Sequence, residues 1–217
     1  MTKKKVGKRQ RPKTSFNHEE LSVDDIWRFE GYIEKSSFTG GTLTGSEEER
    51  LNFDDVVFKD VSFSGSELRT AEFVDVVFQN CDFSNVHFQN AIFHRCEFSN
   101  SKLTGADFAN SKMSHILFED CEARYSNFSF SSMKEVDYVN CNLPDADFYE
   151  CLFKEVRFAT CKMDNINFFE TDLKGVDLSD STYERIEVTL PNIAGCIVSK
   201  EQAIGFARVL GLTVKET

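Results

Sequence analysis

Seven cysteines and four histidines are the residues of this chain best suited to chemistry, and their spacing limits what they can do. Cys81, Cys96, Cys121, Cys141, Cys151, Cys161 and Cys196 form no CxxC pair. An odd count also argues against a secreted disulfide framework. Every one of those numbers leaves a remainder of one on division by five, so the cysteines follow a repeat, as core-filling residues do. Reduced, buried thiols are the expected state. His18, His87, His94 and His115 fall in unrelated positions of that repeat or in the N-terminal stretch, so no metal cluster is predicted. Inward Ser and Cys have no adjacent His base, and neither a phosphate loop nor a dinucleotide fingerprint occurs. The residues predict no enzyme: no catalytic group, no cofactor and no metal.

The elements that position these residues come from the same period. "FVDVVFQNCDFSNVHFQNAIFHRCEF" places phenylalanine at 73, 78, 83, 88, 93 and 98. A step of five suits neither a helix nor a strand. From Phe53 to Val188 there are 28 such positions without an insertion, and 24 hold Phe, Leu or Met. Tyr138, Tyr183, Ala123 and Val188 are the others. With the large residue called i, position i−2 is small or β-branched nearly throughout, while Asp, Asn, Gly and Glu dominate at i+2. Small and large residues therefore point inward, with i−1, i+1 and i+2 facing water. Asp, Asn and Gly suit a tight corner.

One corner per five residues gives flat sides, and four sides close a square coil of twenty residues. The predicted fold is all-β: a right-handed quadrilateral β-helix followed by a short C-terminal α-helix. Phe58, Phe78, Phe98, Phe118, Tyr138, Phe158 and Leu178 are expected to stack, as are Leu68, Phe88, Phe108, Phe128, Phe148, Phe168 and Val188. The predicted organisation is a disordered basic tail over 1–15, an irregular N-terminal coil over 16–50, seven regular coils over 51–190, and a C-terminal helix and dimerisation module over 191–217. In the last, "SKEQAIGFARVLGLTV" offers Ser199 as N-cap, an apolar stripe of Ala203, Ile204, Ala207, Leu210 and Leu212, and Gly211 as C-cap.

Charge is segregated. The net charge is −11, yet the first 13 residues carry seven Lys or Arg and no acid. Residues 51–190 carry 25 acids and 12 bases, a body that repels nucleic acid and anionic membrane. Neither direct sequence-specific nucleic-acid binding nor membrane association is expected. No apolar run is long enough to span a bilayer, and the basic start lacks the apolar region of a signal peptide, so a cytoplasmic location is expected.

These residues resemble the pentapeptide-repeat proteins, whose quadrilateral β-helix has this grammar. Residues 172–214 ("DLKGVDLSDSTYERIEV" onward) look like the C-terminal module of Qnr-type members, and residues 84–130 look like the chromosomal Qnr-like proteins of Gram-positive bacteria. The resemblance implies a non-enzymatic protein that protects DNA gyrase and topoisomerase IV from quinolones. It also implies a homodimer joined tail to tail by the C-terminal helix, and an acidic surface that imitates DNA. Several members carry loops that interrupt the coils and contribute to protection. The register from 53 to 188 is unbroken here, so that feature does not carry over.

The second and fourth sides of the square are the more acidic. The fourth carries a column of Glu67, His87, Asp107, Asn127, Asp147, Asn167 and Glu187. Phe130, Tyr149 and Phe169 stand on the same side where polar residues are expected, beside Glu150 and Glu170. An apolar cluster rimmed by acid predicts a protein interface. The candidate partner-binding set is Phe130, Tyr149, Phe169, Asp107, Asp147, Glu150, Glu170 and Glu187. A structural scaffold for another protein and an immunity factor against a gyrase-poisoning toxin are the alternatives.

Overall fold

The computed structural model describes residues 9–15, 17–45, 50–209 and 211–215. Every fifth residue from Asp55 to Gly175 has a positive φ, between 49° and 83°. These are the corners expected at i+2. On the turn-bearing sides a backbone bond closes most corners, as in Ser66 N–H to Phe63 C=O at 2.9 Å and Ala106 N–H to Leu103 C=O at 3.0 Å, while at Glu150 the Cys151 N–H goes to Thr171 Oγ1 at 2.8 Å. A positive φ at the third position is what such a turn demands. Gly65, Gly105 and Gly175 meet it without strain, whereas Asp and Asn meet it at small cost.

The result is a parallel β-solenoid of about eight coils with one short C-terminal helix. Strands β1 (Glu19–Leu21), β2 (Tyr32–Thr39), β3 (Asn52–Lys59) and β4 (Glu72–Gln79) start one strip of sheet. It continues through β5 (Ile92–His94) and β6 (Glu97–Ser99), β7 (Lys112–Glu119), β8 (Ser132–Val139) and β9 (Leu152–Ala159). From β2 onward each strand pairs in parallel with the next coil at an offset of twenty, as in Phe53 with Phe73 and Phe73 with Phe93. The other sides are joined by single bridges in the same register, such as Ser62 to Asp82 and Asp107 to Asn127. Near the C-terminus β10 (Ile166–Phe168) pairs with β11 (Ile186–Val188). Stacking then runs past the expected boundary at 190, since Asp177 bridges Ile197 and the Leu178 N–H reaches the Ile197 carbonyl at 2.8 Å.

The core is the expected set of columns. Phe58, Phe78, Phe98, Phe118, Tyr138 and Phe158 stack with centroids 4.6–5.4 Å apart. Phe88, Phe108, Phe128, Phe148 and Phe168 do likewise at 4.7–5.4 Å. Each such pair adds about 0.5–1.5 kcal/mol beyond its area burial. The small inward slot has a second use: at several positions where it holds Cys, Ser or Thr, the side chain donates to the carbonyl of the preceding coil's large residue. Cys96 Sγ reaches Phe73 O at 3.4 Å, Cys151 Sγ reaches Phe128 O at 3.1 Å, and Thr171 Oγ1 reaches Phe148 O at 2.6 Å. All seven cysteines are free. Burial pushes the Cys81 and Cys151 thiols up to about 11 and the Cys96 thiol to about 12, so they do not act as nucleophiles at neutral pH.

The N-terminal end of the core is closed by a short 3-10 helix, Val23–Phe29, started by a capping box between Ser22 and Asp25. Its Val23 and Ile26 are buried in the core. Residues 9–15 depart from expectation. Composition places them in a disordered tail, but they lie against the coils, bonded to side chains at i+2 and neighbouring positions. The same contacts explain why Asp55, Asp75 and His115, expected to face water, are buried. Residues 1–8 of the expected tail lie outside the described residues.

Two measurements follow from the corners and the core. Thr160, a β-branched residue at φ 53°, ends a polar ladder in which Asn80 donates to Asp60 at 3.1 Å and Asn140 donates to Asp120. Thr160→Asn is expected to stabilise the fold by about 1 kcal/mol, read from urea denaturation midpoints. Alkylation of the native protein at pH 8 is expected to modify at most the half-buried Cys196. Intact mass after denaturation should show all seven thiols reacting.

Candidate protein-interaction surfaces

Two surfaces carry the side chains that could recognise a partner. On the fourth side the corners at Phe130, Glu150 and Glu170, all with positive φ, turn their side chains outward. Phe130 and Tyr149 meet edge to face with centroids 5.3 Å apart, and Tyr149 and Phe169 lie parallel at 6.2 Å. Phe130 is 49% exposed and Phe169 45%. The repeat thus brings three aromatics from successive coils into one strip, rimmed by the exposed Glu150 and Glu170. The N-terminal segment with Ile26 and Trp27 does not cover them, because Ile26 is committed to the core.

The strip runs into a cleft of about 720 Å³ lined by Phe169, Tyr183, Ile186, Glu187, Gln202 and Phe206 among others. Its far wall is helix α1 (Lys200–Val209). Ser199 caps α1 as expected: its hydroxyl accepts from the Gln202 N–H at 3.2 Å, and Gln202 Oε1 accepts from the Ser199 N–H at 2.8 Å. Sequence reasoning missed the second role of Gln202. Its amide donates to the carbonyls of Leu178 and Ser181, both at 2.9 Å, so the helix satisfies acceptors at the end of the stack. Phe206 meets Tyr183 at 6.5 Å. Of the residues expected to form a dimer face, Ala203 is exposed, Ile204 and Ala207 are half-buried, and Leu212 is 59% exposed. Leu210 lies outside the described residues.

The acids of the fourth side divide into two groups. Asp107 Oδ1 accepts from the Ala109 N–H and from Asn127 Nδ2, both at 3.0 Å. Asp147 Oδ1 accepts from the Tyr149 N–H and from Asn167 Nδ2, both at 2.9 Å. These two carboxylates hold turns and tie coils together. Glu150, Glu170 and Glu187 are exposed, the last at the end of the column, and Glu170 Oε1 accepts from the Thr189 hydroxyl at 3.4 Å.

The second surface was not legible as a site. Asp55, Asp75, Arg95, His115 and Glu135 occupy one corner column. Residues 9–15 run along it as a strap. The Ser15 N–H donates to Asp55 Oδ1 and the Lys13 N–H to Asp75 Oδ1, both at 2.8 Å. The Gln10 N–H points at His115 Nδ1 at 3.4 Å, and the same nitrogen lies 2.8 Å from Glu135 Oε2. Arg9 pairs with Glu97 at 2.9 Å and approaches Asp137 at 3.7 Å. Arg95 grips Asp75 through two bonds of 2.6 Å, and Arg157 grips Asp137 at 2.8 and 3.0 Å. Burial works to raise the Asp55 carboxyl, but Ser15 and His18 outweigh it and leave the group below its ordinary value. Burial likewise opposes Asp75, where Arg95 and the Lys13 N–H prevail. Asp54 goes the other way, raised by burial and by repulsion from Asp75, Asp55 and Glu34.

Among the described residues no group of His, Cys, Asp and Glu could hold a metal ion, and no helix is long and apolar enough to cross a membrane. Because the Ser15 and Lys13 bonds are among the contacts that hold the Asp55 and Asp75 carboxyls below their ordinary values, beside His18 and Arg95, protonation of either carboxyl opposes docking. Strap docking is expected to be constant above about pH 5 and to weaken as pH falls through about 4. Amide exchange of residues 9–15 from pH 6 to pH 3, corrected for intrinsic rates, measures this.

Comparison with known proteins bears on the fold and the family. A family model described as "Pentapeptide repeat region" matches residues 71–137 and 131–200. No curated protein matches the chain. Among solved structures, a trypsin-treated variant of QnrB1, a plasmid-mediated fluoroquinolone resistance protein, is 19% identical, with 91% of this chain and 95% of that one covered and a TM-score of 0.42. HetL, involved in heterocyst differentiation regulation in the cyanobacterium Nostoc, is 13% identical, with coverage of 86% and 88% and a TM-score of 0.38. A pentapeptide-repeat protein of the Arabidopsis thaliana thylakoid lumen is 16% identical, with coverage of 68% and 72% and a TM-score of 0.20. The assignment rests on the model match, which takes in well over half of the sequence and coincides with the corners, columns and register described above: this chain belongs to the pentapeptide-repeat family.

Proposed function

We propose that this protein is a non-catalytic, acidic rod that binds type II topoisomerases and protects DNA gyrase, topoisomerase IV or both from quinolones. The observation that carries the reading is the exposed strip of Phe130, Tyr149 and Phe169, rimmed by Glu150 and Glu170 and opening into the cleft beside α1. Its support is the resemblance of residues 84–130 and 172–214 to Qnr-type proteins. An apolar anchor with a charged rim is the anatomy of a protein-binding hot spot. The excess of acid over residues 51–190 suits a groove built for duplex DNA, whose charge density is one per roughly 1.7 Å. The exposed Glu150, Glu170 and Glu187 supply that charge near the strip. The protein acts in the cytoplasm as a homodimer, with α1 and Leu212 meeting their counterparts in a second copy. Partner recognition is by protein surface and not by nucleic-acid sequence.

A scaffold for a different partner is favoured by one observation, the internal use of Asp107 and Asp147 for turns. Supercoiling by purified gyrase with a fluoroquinolone, titrated with this protein, separates the readings. Rescue at low concentration supports protection, inhibition without rescue makes the protein a regulator of gyrase, and no effect on either enzyme leaves the scaffold. Phe130→Ser combined with Phe169→Ser is expected to keep the fold and weaken binding at least about tenfold. Unchanged affinity removes the strip from the interface.

A further inference from the structure

The strap column has the form of a binding groove already holding a ligand. Its recognition is directed at main chain: two strap N–H groups, of Ser15 and Lys13, donate to the carboxylates of Asp55 and Asp75, and the Gln10 nitrogen lies 3.4 Å from His115 Nδ1. Asp55, Asp75 and His115 stand on coils one, two and four of the regular stack, so the strap climbs three coil steps over five residues. Three steps measure about 14 Å, and five extended residues reach about 17 Å. A nearly extended chain therefore fits the column's spacing. Charge fits as well. Arg9 lies between Glu97 and Asp137, 2.9 Å from the first and 3.7 Å from the second. The strap is nonetheless lightly held, with Gln10, Arg11, Lys13 and Thr14 exposed.

We propose that this groove is a binding site for an extended, Arg- or Lys-bearing peptide segment of a partner protein, and that residues 9–15 occupy it in cis as a displaceable competitor. The inference is independent of the topoisomerase reading. An incoming segment offers the same backbone donors to Asp55 and Asp75 and places a cation near Glu97 and Asp137. Below that cation, Glu135 and Glu155 extend the acidic column along the rod.

The test uses the full chain with Lys13→Pro and Ser15→Pro together, which removes two strap donors and leaves the coils unchanged. The probe is a fluorescent peptide with the sequence of residues 9–15, followed by anisotropy. The double variant is expected to bind it at least about tenfold more tightly than the parent, because a tethered competitor acts at millimolar effective concentration. Adding Asp75→Asn to that variant should abolish the gain, with circular dichroism checking the fold. Equal binding by parent and variant overturns the proposal. So does equally tight binding of the same peptide N-methylated at the positions of Lys13 and Ser15, which keeps the charge and removes the two backbone donors.

Discussion

One backbone constraint governs this molecule: the chain must turn through a left-handed residue at every fifth position. Each such corner is disfavoured for L-residues other than glycine, and it survives because the side between corners places two side chains in a shared core. The small slot lets the chain come close to the preceding coil, and the large slot stacks on its equivalent. Neither works without the other. A coil alone buries little. Its stability comes from the faces it shares with the coils above and below.

This arrangement explains why the core chemistry is inert. A thiol in the small slot faces a carbonyl of the coil before it, and burial raises the Cys81, Cys96 and Cys151 thiols. Cys96 and Cys151 are thus the counterparts of Thr171 and Ser181, each donating to an acceptor exposed by the stacking. Recognition must come from the outward positions and the two ends.

The fold was readable from one sequence because its period is local, exact in length and repeated without insertion. Phe58 predicts Phe78 and Phe98 by arithmetic, and the stacked rings follow. The aromatic strip was also readable, since Phe130 and Phe169 break the polar rule of their positions. The strap was not. Asp55 and Asp75 look like ordinary corner residues, and nothing in "RQRPKTS" marks an extended segment that finds them some forty to sixty residues away. A contact between a non-periodic segment and a periodic surface leaves no period to detect. The double duty of Gln202 escaped for a related reason: its capping role is local, while its bonds to Leu178 and Ser181 depend on where the stack ends.

Stacked repeats ordinarily behave as a one-dimensional chain of nearest neighbours, free to fray coil by coil from either end. The strap changes that connectivity. By touching Asp55, Asp75, Glu97, His115 and Asp137 in turn, residues 9–15 link five successive coils that otherwise meet only in pairs. Fraying within that span breaks contacts beyond the coil that opens. The N-terminal half thereby gains a longer-range cooperativity than the coils past Asp137, where the strap makes no contact. The two halves of a rod with one uniform cross-section thus differ in how they come apart.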